Sequence, residues 1–174
     1  MMKSIKILSF FLFVSLVLVS CKKDDDGGGD PQAASGTLTA KVNGTSFTSL
    51  EIATTANEVT GNGVTTITIQ GSDANGKGVV MIINGYSGVG SYEISDSNTI
   101  FNTATYIEAN ISNPANSQSW MAPFQNSGVA GEINISEKND TTIKGTFSFE
   151  AKNANDNSTK SITEGSFNMN LMQN

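Results

Sequence analysis

Residues 143–149 read IKGTFSF, and this stretch decides the fold class. Its large apolar side chains, Ile143, Phe147 and Phe149, fall on alternate positions, with Lys, Thr and Ser between them. A period of two places successive side chains on opposite faces of a β-strand. The pattern therefore predicts a strand with one face in a core and the other in solvent.

The same signal recurs along the chain on both sides of this stretch. Apolar residues alternate or cluster between turn residues, and further strands are predicted at 38–42, 47–52, 65–70, 79–83, 92–94, 104–111, 131–136 and 162–171. No segment shows a helical period of useful length. About nine antiparallel strands predict an all-β fold, either an antiparallel β-sandwich or a flattened β-barrel, and the sequence leaves this choice open.

Turn residues, glycines and apolar runs add local detail to this prediction. Asn43-Gly44 predicts a tight hairpin, since both central positions of a type I′ turn need positive φ. Residues 79–83 are apolar on both faces, which indicates a central strand. The alternation before Gly165 differs by one residue from the alternation after it, which predicts a β-bulge there.

The N-terminal segment has the features of a signal peptide. Lys3 and Lys6 precede an apolar run at 7–19, which is 13 residues long and interrupted only by two serines. A helix needs about 20 apolar residues to cross a bilayer, so this run is too short for a permanent anchor. We therefore expect residues 1–20 to be a signal peptide.

The end of this segment predicts lipidation. Residues 18–21 read LVSC and resemble the lipobox of bacterial lipoproteins, with the one Cys of the chain at the modified position. The resemblance implies that Cys21 carries acyl chains such as palmitate, which attach the protein to a membrane. The alternative is a secretory signal that happens to meet a Cys, and we favour lipidation because charge, apolar length, small residue and lone Cys coincide.

The residues after Cys21 suggest an export signal, followed by a flexible tether. Residues 22–26 read KKDDD, which resembles the surface-export signal of Bacteroidota lipoproteins; the alternative is a solvated charged spacer. Gly, Pro and small residues then make residues 21–35 a flexible tether. The folded domain is predicted at 36–174. These features place the protein at the outer membrane, lipid-anchored and facing the cell surface, with the periplasmic orientation left open.

Composition excludes several kinds of function. The chain has no His and no Arg, so His-dependent hydrolases, zinc sites and bidentate phosphate clamps are poor hypotheses. Its ten cations are therefore all Lys, and without Lys3 and Lys6 eight remain against 16 acids, a formal charge of −8. An acidic protein repels nucleic-acid backbones, and no cofactor is expected.

Candidate ligand-binding residues are aromatic. Residues 112–127 form the longest predicted connection, and they include Trp120 and Phe124, whose faces can stack on sugars or apolar ligands. The alternative, which we favour, is that both rings close one end of the core. Tyr86 is a third candidate, in a glycine-rich stretch at 85–90 whose spacing does not match a nucleotide loop.

Two predicted turns resemble modification or metal sites. Residues 140–142 read DTT, a pattern similar to the O-glycosylation acceptor of Bacteroidota, which makes Thr141 a candidate glycosylation site. Residues 73–76 read DANG, which matches the start of a calcium loop but lacks the later ligands, so we expect a plain turn and no metal.

Several motifs together resemble a known family. They are VNG at 42–44 followed by Phe47, GSY at 90–92, GEINI at 131–135, IKGTFSF at 143–149 and ITEGSF at 162–167. The set resembles an uncharacterised family of small all-β lipoproteins from Bacteroidota, a domain of unknown function, over most of residues 36–172. The resemblance implies a fold and a compartment, and it implies no activity.

The resulting functional hypothesis is a non-catalytic surface lipoprotein that binds a glycan, a small ligand or an envelope protein. Its alternatives are a lipocalin-like carrier of an apolar molecule and a structural envelope component. An enzyme that uses paired carboxylates is not expected, because nothing in the sequence places two acids across a cleft.

Overall fold

Strands account for most of the structure, a computed structural model that describes residues 32–99 and 101–173. The predictions for the signal peptide, for Cys21 and for the Lys-Asp run fall outside these residues. The described strands are β1 (Thr37–Val42), β2 (Thr45–Thr48), β3 (Thr54–Gly61), β4 (Val64–Ser72), β5 (Lys77–Asn84), β6 (Gly90–Ser95), β7 (Thr103–Glu108), β8 (Gln118–Ala122), β9 (Val129–Lys138), β10 (Thr142–Lys152) and β11 (Thr159–Gln173). Two short 3₁₀ turns, Glu51–Ala53 and Pro114–Asn116, complete the regular elements described.

All eleven strands belong to one sheet that returns on itself. Its order is β2-β1-β11-β3-β4-β5-β7-β8-β10-β9-β6, and β11 also pairs with β10. The pairing separates two antiparallel layers, β2-β1-β11-β10-β9-β6 and β3-β4-β5-β7-β8. A single buried core contains residues of both layers. This arrangement fits a sandwich or a flattened barrel and confirms the predicted fold class.

Two seams join the layers in the described residues. At one seam β11 runs parallel to β3 over three residue pairs, from Leu171–Ala56 to Gln173–Glu58. At the other, β10 meets β8 through a single pair, Lys152–Met121. The second seam is therefore the weaker one, and it leaves a gap in the outer surface of the sheet beyond that pair.

The structure has eleven strands among its described residues where about nine were predicted, because β3 and β8 were missed. In β3 only Ala56 is buried, so no alternation of apolar residues marks the strand. β8 is five residues long, lies inside the segment that was predicted to be a loop, and has Pro123 directly after it. Both missed strands lie at the seams, and neither carries the long amphipathic pattern by which a strand is recognised in sequence.

Other local predictions are confirmed, and two strands are shorter than expected. β1 and β2 enclose a two-residue turn in which Asn43 and Gly44 have φ of 48° and 80°. β5 lies centrally, between β4 and β7. β7 ends at Glu108 rather than at residue 111, and β2 ends before Ile52, which lies in a 3₁₀ turn with 93% of its surface exposed.

The bulge predicted near Gly165 is present. Phe147 pairs with Gly165, whereas Phe149 pairs with Ile162, so the register of β11 shifts by one residue between them. Glu164 occupies the shift with a φ of 51°. The extra residue keeps both Ile162 and Phe167 on the core side of the same strand.

Two glycines in the centre of the core face each receive a phenylalanine from the neighbouring strand. Gly145 of β10 pairs with Phe167 of β11, and Phe147 of β10 pairs with Gly165 of β11. A Cβ at Gly145 would meet the carbonyl oxygen of Asn134 on β9 first and would lie 2.6 Å from the Cζ atom of Phe167; one at Gly165 would meet the carbonyl oxygen of Phe147 first and would lie 2.6 Å from its ring. The two rings pack with centroids 6.3 Å apart. Only glycine leaves room for this reciprocal Gly–Phe pairing.

The substitution Gly145→Ala is expected to lower the free energy of unfolding by about 1–3 kcal/mol, because the added methyl group overpacks the core against the carbonyl oxygen of Asn134 and the ring of Phe167. Urea denaturation of the purified protein measures the change. Gly61→Ala is the matched control: Gly61 also lies in a strand, and a Cβ there meets nothing within 4 Å. Equal effects of the two substitutions would contradict the role assigned to the pairing.

Candidate functional site

The three aromatic residues predicted from the sequence lie in different environments. Trp120 belongs to β8, faces the core and is 5% exposed. Phe124 follows β8 and is half-buried at the surface. Tyr86 follows β5, and its ring stacks on Tyr92 with centroids 5.7 Å apart. The contacts of Tyr86 share no residue with those of Trp120 or Phe124, so the three do not form one site.

Trp120 supports one end of the core from inside. Its ring packs on Tyr106 with centroids 5.7 Å apart, and the ammonium of Lys160 lies 4.5 Å from the centroid of a Trp120 ring. Its indole Nε1 donates a hydrogen bond of 2.9 Å to Ser158 Oγ in the loop between β10 and β11. Because its faces are covered, Trp120 holds this loop against β8 and offers no stacking surface.

A cross-layer ion pair lies beside Trp120. Lys160 of β11 donates to Glu108 Oε1 of β7 at 2.9 Å, and Tyr106 Oη donates to the same oxygen at 3.0 Å. Burial raises the pKa of Glu108, but the hydrogen bonds from Lys160 and Tyr106 outweigh it, and the net pKa lies below the ordinary value of 4.5. The pKa of Tyr106 is raised, mainly by burial and also by its bond to Glu108.

A second cross-layer ion pair lies at the opposite end of the strands, around Tyr86. Lys138 of β9 contacts Glu58 of β3 at 2.8 Å, and its ammonium lies 5.5 Å from the centroid of the Tyr86 ring. Tyr92 Oη donates to the carbonyl oxygen of Gly88. Burial raises the pKa of Tyr86. These contacts give Tyr86 a packing role at this end of the domain.

A concave site lined by Phe124 lies on the outer face of the weak seam. It is a cleft of about 330 Å³, which we call the seam cleft, lined by Ser119, Met121, Phe124, Lys152, Asn153, Ala154 and Asn155. Trp120 and Ala122 point into the core, so Met121 between them points outward and is 54% exposed. The cleft exists because β8 and β10 pair at one position and then diverge.

One wall of the seam cleft is the loop at 153–158, which is held by its own hydrogen bonds. The side chain of Asn153 is 1% exposed; its Nδ2 donates to Gln118 Oε1 at 2.9 Å, and its Oδ1 accepts from the N–H of Asn155 at 2.8 Å. Together with the bond from Trp120 to Ser158, these contacts fasten the loop to β8. The cleft is therefore preformed, which reduces the entropy cost of binding a ligand.

Phe124 separates the seam cleft from a second one. The second cleft, of about 200 Å³, is lined by Asp96, Phe101, Thr103, Pro123, Phe124 and Gln125. Phe101 is 43% exposed and adds an aromatic edge to it. On the seam side, Lys152 Nζ lies 5.8 Å from the centroid of the Phe124 ring. Phe124 thus stands as an aromatic ridge between two clefts that carry amide, hydroxyl and charged groups.

Sequence reasoning selected Phe124 but missed most of its neighbours. Met121, Lys152 and Asn153 carry no motif, and they meet only because the unpredicted strand β8 closes against β10. Phe101, on the other side of the ridge, was missed as well. The one signal in the sequence is the order of Trp120, Met121 and Ala122. In a strand, Trp120 and Ala122 share one face and Met121 lies on the other.

The two turns considered for modification or metal binding are well ordered by internal bonds. Asp73 Oδ1 accepts hydrogen bonds from the N–H groups of Asn75 and Lys77, both at 2.8 Å, so its carboxylate closes the turn. Thr141 is exposed in the turn between β9 and β10, and its hydroxyl donates to Asn139 Oδ1 at 3.2 Å. In the part of the chain that the structure describes, no group of three or more His, Cys, Asp or Glu residues could hold a metal.

The described residues also contain no helix with the length and apolar character to span a bilayer. In a comparison with known families, the model of a domain of unknown function, DUF6252, matches residues 34–169. No curated protein and no solved structure matches the chain. The matched residues include every side chain that lines the two clefts around Phe124.

The substitution Glu108→Gln is expected to reduce the loss of stability in acid. The native pKa of Glu108 lies below 4.5, so the unfolded chain binds more protons. Its contribution is complete above pH 4.5 and is lost as the pH falls through the native pKa. Urea unfolding at neutral and acidic pH measures the difference, with Glu150→Gln, an exposed acid on β10, as control. An unchanged acid dependence in Glu108→Gln would contradict the assignment.

Proposed function

Because the chain belongs to the DUF6252 family, whose function is unknown, we propose its function from the site: a non-catalytic binding module that takes up a glycan at the Phe124 ridge. The observation that carries the proposal is the position of Phe124. Its ring stands between two clefts of about 330 and 200 Å³ whose walls carry amides, hydroxyls and a lysine.

This combination suits saccharides. A sugar ring has an apolar C–H face that stacks on an aromatic ring, and hydroxyl groups around its rim that need hydrogen-bond partners. Asn155 and Ser119 line the seam cleft, and Gln125 lines the second cleft, so amide and hydroxyl groups lie on both sides of Phe124. The seam cleft has the volume of a small ligand site.

The structure gives less support to a lipocalin-like carrier. A carrier of an apolar molecule needs an apolar cavity between the layers. That region contains a cluster of buried side chains from both layers, and Tyr106 and Phe167 are the largest of those that are fully buried. The space between the layers is therefore occupied by side chains, whereas the seam cleft is open on the outer surface.

We also propose the localisation predicted from the sequence. The protein is a lipoprotein of Bacteroidota type, anchored to the outer membrane through Cys21 and exposed at the cell surface. The attachment of the tether supports its use as a spacer. The N–H of Ala33, which is 4% exposed, donates to Ser166 Oγ at 2.8 Å, so the chain is fastened to the domain from Ala33 onward. Residues 21–32 then provide a reach of about 40 Å at full extension.

The substitution Phe124→Ala is expected to weaken glycan binding at least about tenfold, since it removes the stacking face between the two clefts. An array of neutral and acidic glycans identifies ligands of the wild-type protein, and isothermal titration calorimetry measures the affinities of the variants. Phe124→Leu keeps apolar volume without the aromatic face, and it should also lose affinity.

Val89→Ala is the matched control, because Val89 is an exposed apolar side chain outside both clefts. It should bind as the wild type does. Wild-type binding by Phe124→Ala, or the absence of any ligand from the array, would contradict the proposed function.

The substitution Cys21→Ala is expected to abolish labelling by radioactive palmitate and to release the protein from the membrane fraction, since the acyl chains provide the attachment. Protease treatment of intact cells then tests orientation and should digest the wild-type protein. Full protection of a membrane-bound wild type would place the domain on the periplasmic side instead.

A further inference from the structure

Lys152 differs from most lysines of the domain. It lies at the end of β10, half-buried in the wall of the seam cleft, with its ammonium over the Phe124 ring. Four of the six lysines among the described residues, Lys41, Lys138, Lys144 and Lys160, contact a glutamate at 2.8–2.9 Å. Within the described part of the chain, Lys152 has no carboxylate within 4.0 Å.

The lack of a partner is unexpected on charge grounds. From residue 36 onward the chain has 12 acids and 6 lysines, so carboxylates are twice as abundant as ammonium groups. Removing an ammonium partly from water has a cost that a carboxylate usually offsets. In the seam cleft only the face of Phe124 offsets it, by a cation–π contact. The position where a carboxylate would bind Lys152 therefore lies in the cleft itself.

We infer that the ligand of this cleft is an anionic saccharide, one whose sugar ring stacks on Phe124 while its carboxylate or sulfate group contacts Lys152. The inference rests on the proposed function and specifies its ligand class. The ammonium of Lys152 attracts an anionic group and has no such interaction with a neutral sugar, so the contact favours anionic saccharides. Because the ammonium is half-buried, salt screens this attraction less than it would at an exposed lysine. Asp96, the one acid lining the second cleft, disfavours an anionic group on that side of the ridge and so orients the ligand.

Lys77 provides an internal comparison. It is the other described lysine with no carboxylate within 4.0 Å, and it lines a separate cleft of about 270 Å³ together with Asp73 and Glu108. Acidic side chains share that cleft, and Lys77 contributes to the lowered pKa of Glu108. Its charge is thus balanced by acids of its own cleft. Among the described lysines this leaves Lys152 as the one that has an aromatic face but no carboxylate within 4.0 Å or in the lining of its cleft, since Glu150, two residues earlier on β10, does not line the seam cleft.

The test uses the full-length protein and pairs of saccharides that differ in charge: oligogalacturonate and its methyl ester, sialyllactose and lactose, and the tetrasaccharides of chondroitin sulfate and of desulfated chondroitin. We expect each acidic member that binds to bind at least about tenfold more tightly than its neutral or less charged counterpart. The pairs separate carboxylate from sulfate recognition. Lys152→Gln should weaken acidic binding about five- to tenfold and reduce its dependence on NaCl concentration, and Lys152→Arg should retain most of it.

Lys77→Gln removes the same charge from the other cleft and should leave binding unchanged. The inference would be overturned if neutral sugars bound as tightly as acidic ones, or if Lys152→Gln and Lys77→Gln had equal effects. Binding that depends on Phe124 but not on Lys152 would leave the proposed function intact and remove this inference alone. If no saccharide bound in a Phe124-dependent way, both would fail.

Discussion

The reciprocal Gly–Phe pairing between β10 and β11 is the contact on which the rest of the structure depends. Each ring fills the space left by the glycine opposite, which fixes the register of the two strands to a single residue. Each of the two strands pairs with three others: β11 with β1, β10 and β3, and β10 with β11, β9 and β8. Their register therefore decides where both layers join.

The position of the candidate site follows from that register. With β10 fixed against β11, its last residue, Lys152, meets Met121 of β8 on the outer surface, and no second pair extends the seam among the described residues. The seam opens beyond this pair into a cleft, while Trp120 and Asn153 hold the loop that forms its wall. The incomplete pairing of β8 with β10 thus leaves a preformed cleft at the surface.

Sequence patterns predicted the features that are set by neighbouring residues. The alternation at 143–149, the Asn43-Gly44 turn and the bulge at Gly165 are local, and all three are present. The two seam strands were missed, because β3 buries a single residue and β8 is too short to show a period. Without β8, sequence could not decide which of Trp120 and Phe124 faces outward, since that depends on the phase of the strand.

The charge state of the site was equally inaccessible to sequence. Whether a lysine has an acidic partner is a property of tertiary contacts: Glu108 of β7 lies beside Lys160, whereas Phe124, which follows β8, lies beside Lys152. Composition indicated only the charge of the whole chain, which is acidic and repels polyanions. A local cationic site in such a chain would select short anionic saccharides rather than long polyanionic chains.

The central claim is that ligands bind at the seam cleft and the Phe124 ridge. The most direct measurement is a two-dimensional NMR titration of the ¹⁵N-labelled protein with the tightest saccharide from the array. Our account predicts that the largest amide shift changes fall in residues 119–125 and 152–155, with little change around Tyr86. Shift changes centred on the Lys77 cleft or on Tyr86, with residues 119–125 unaffected, would contradict it.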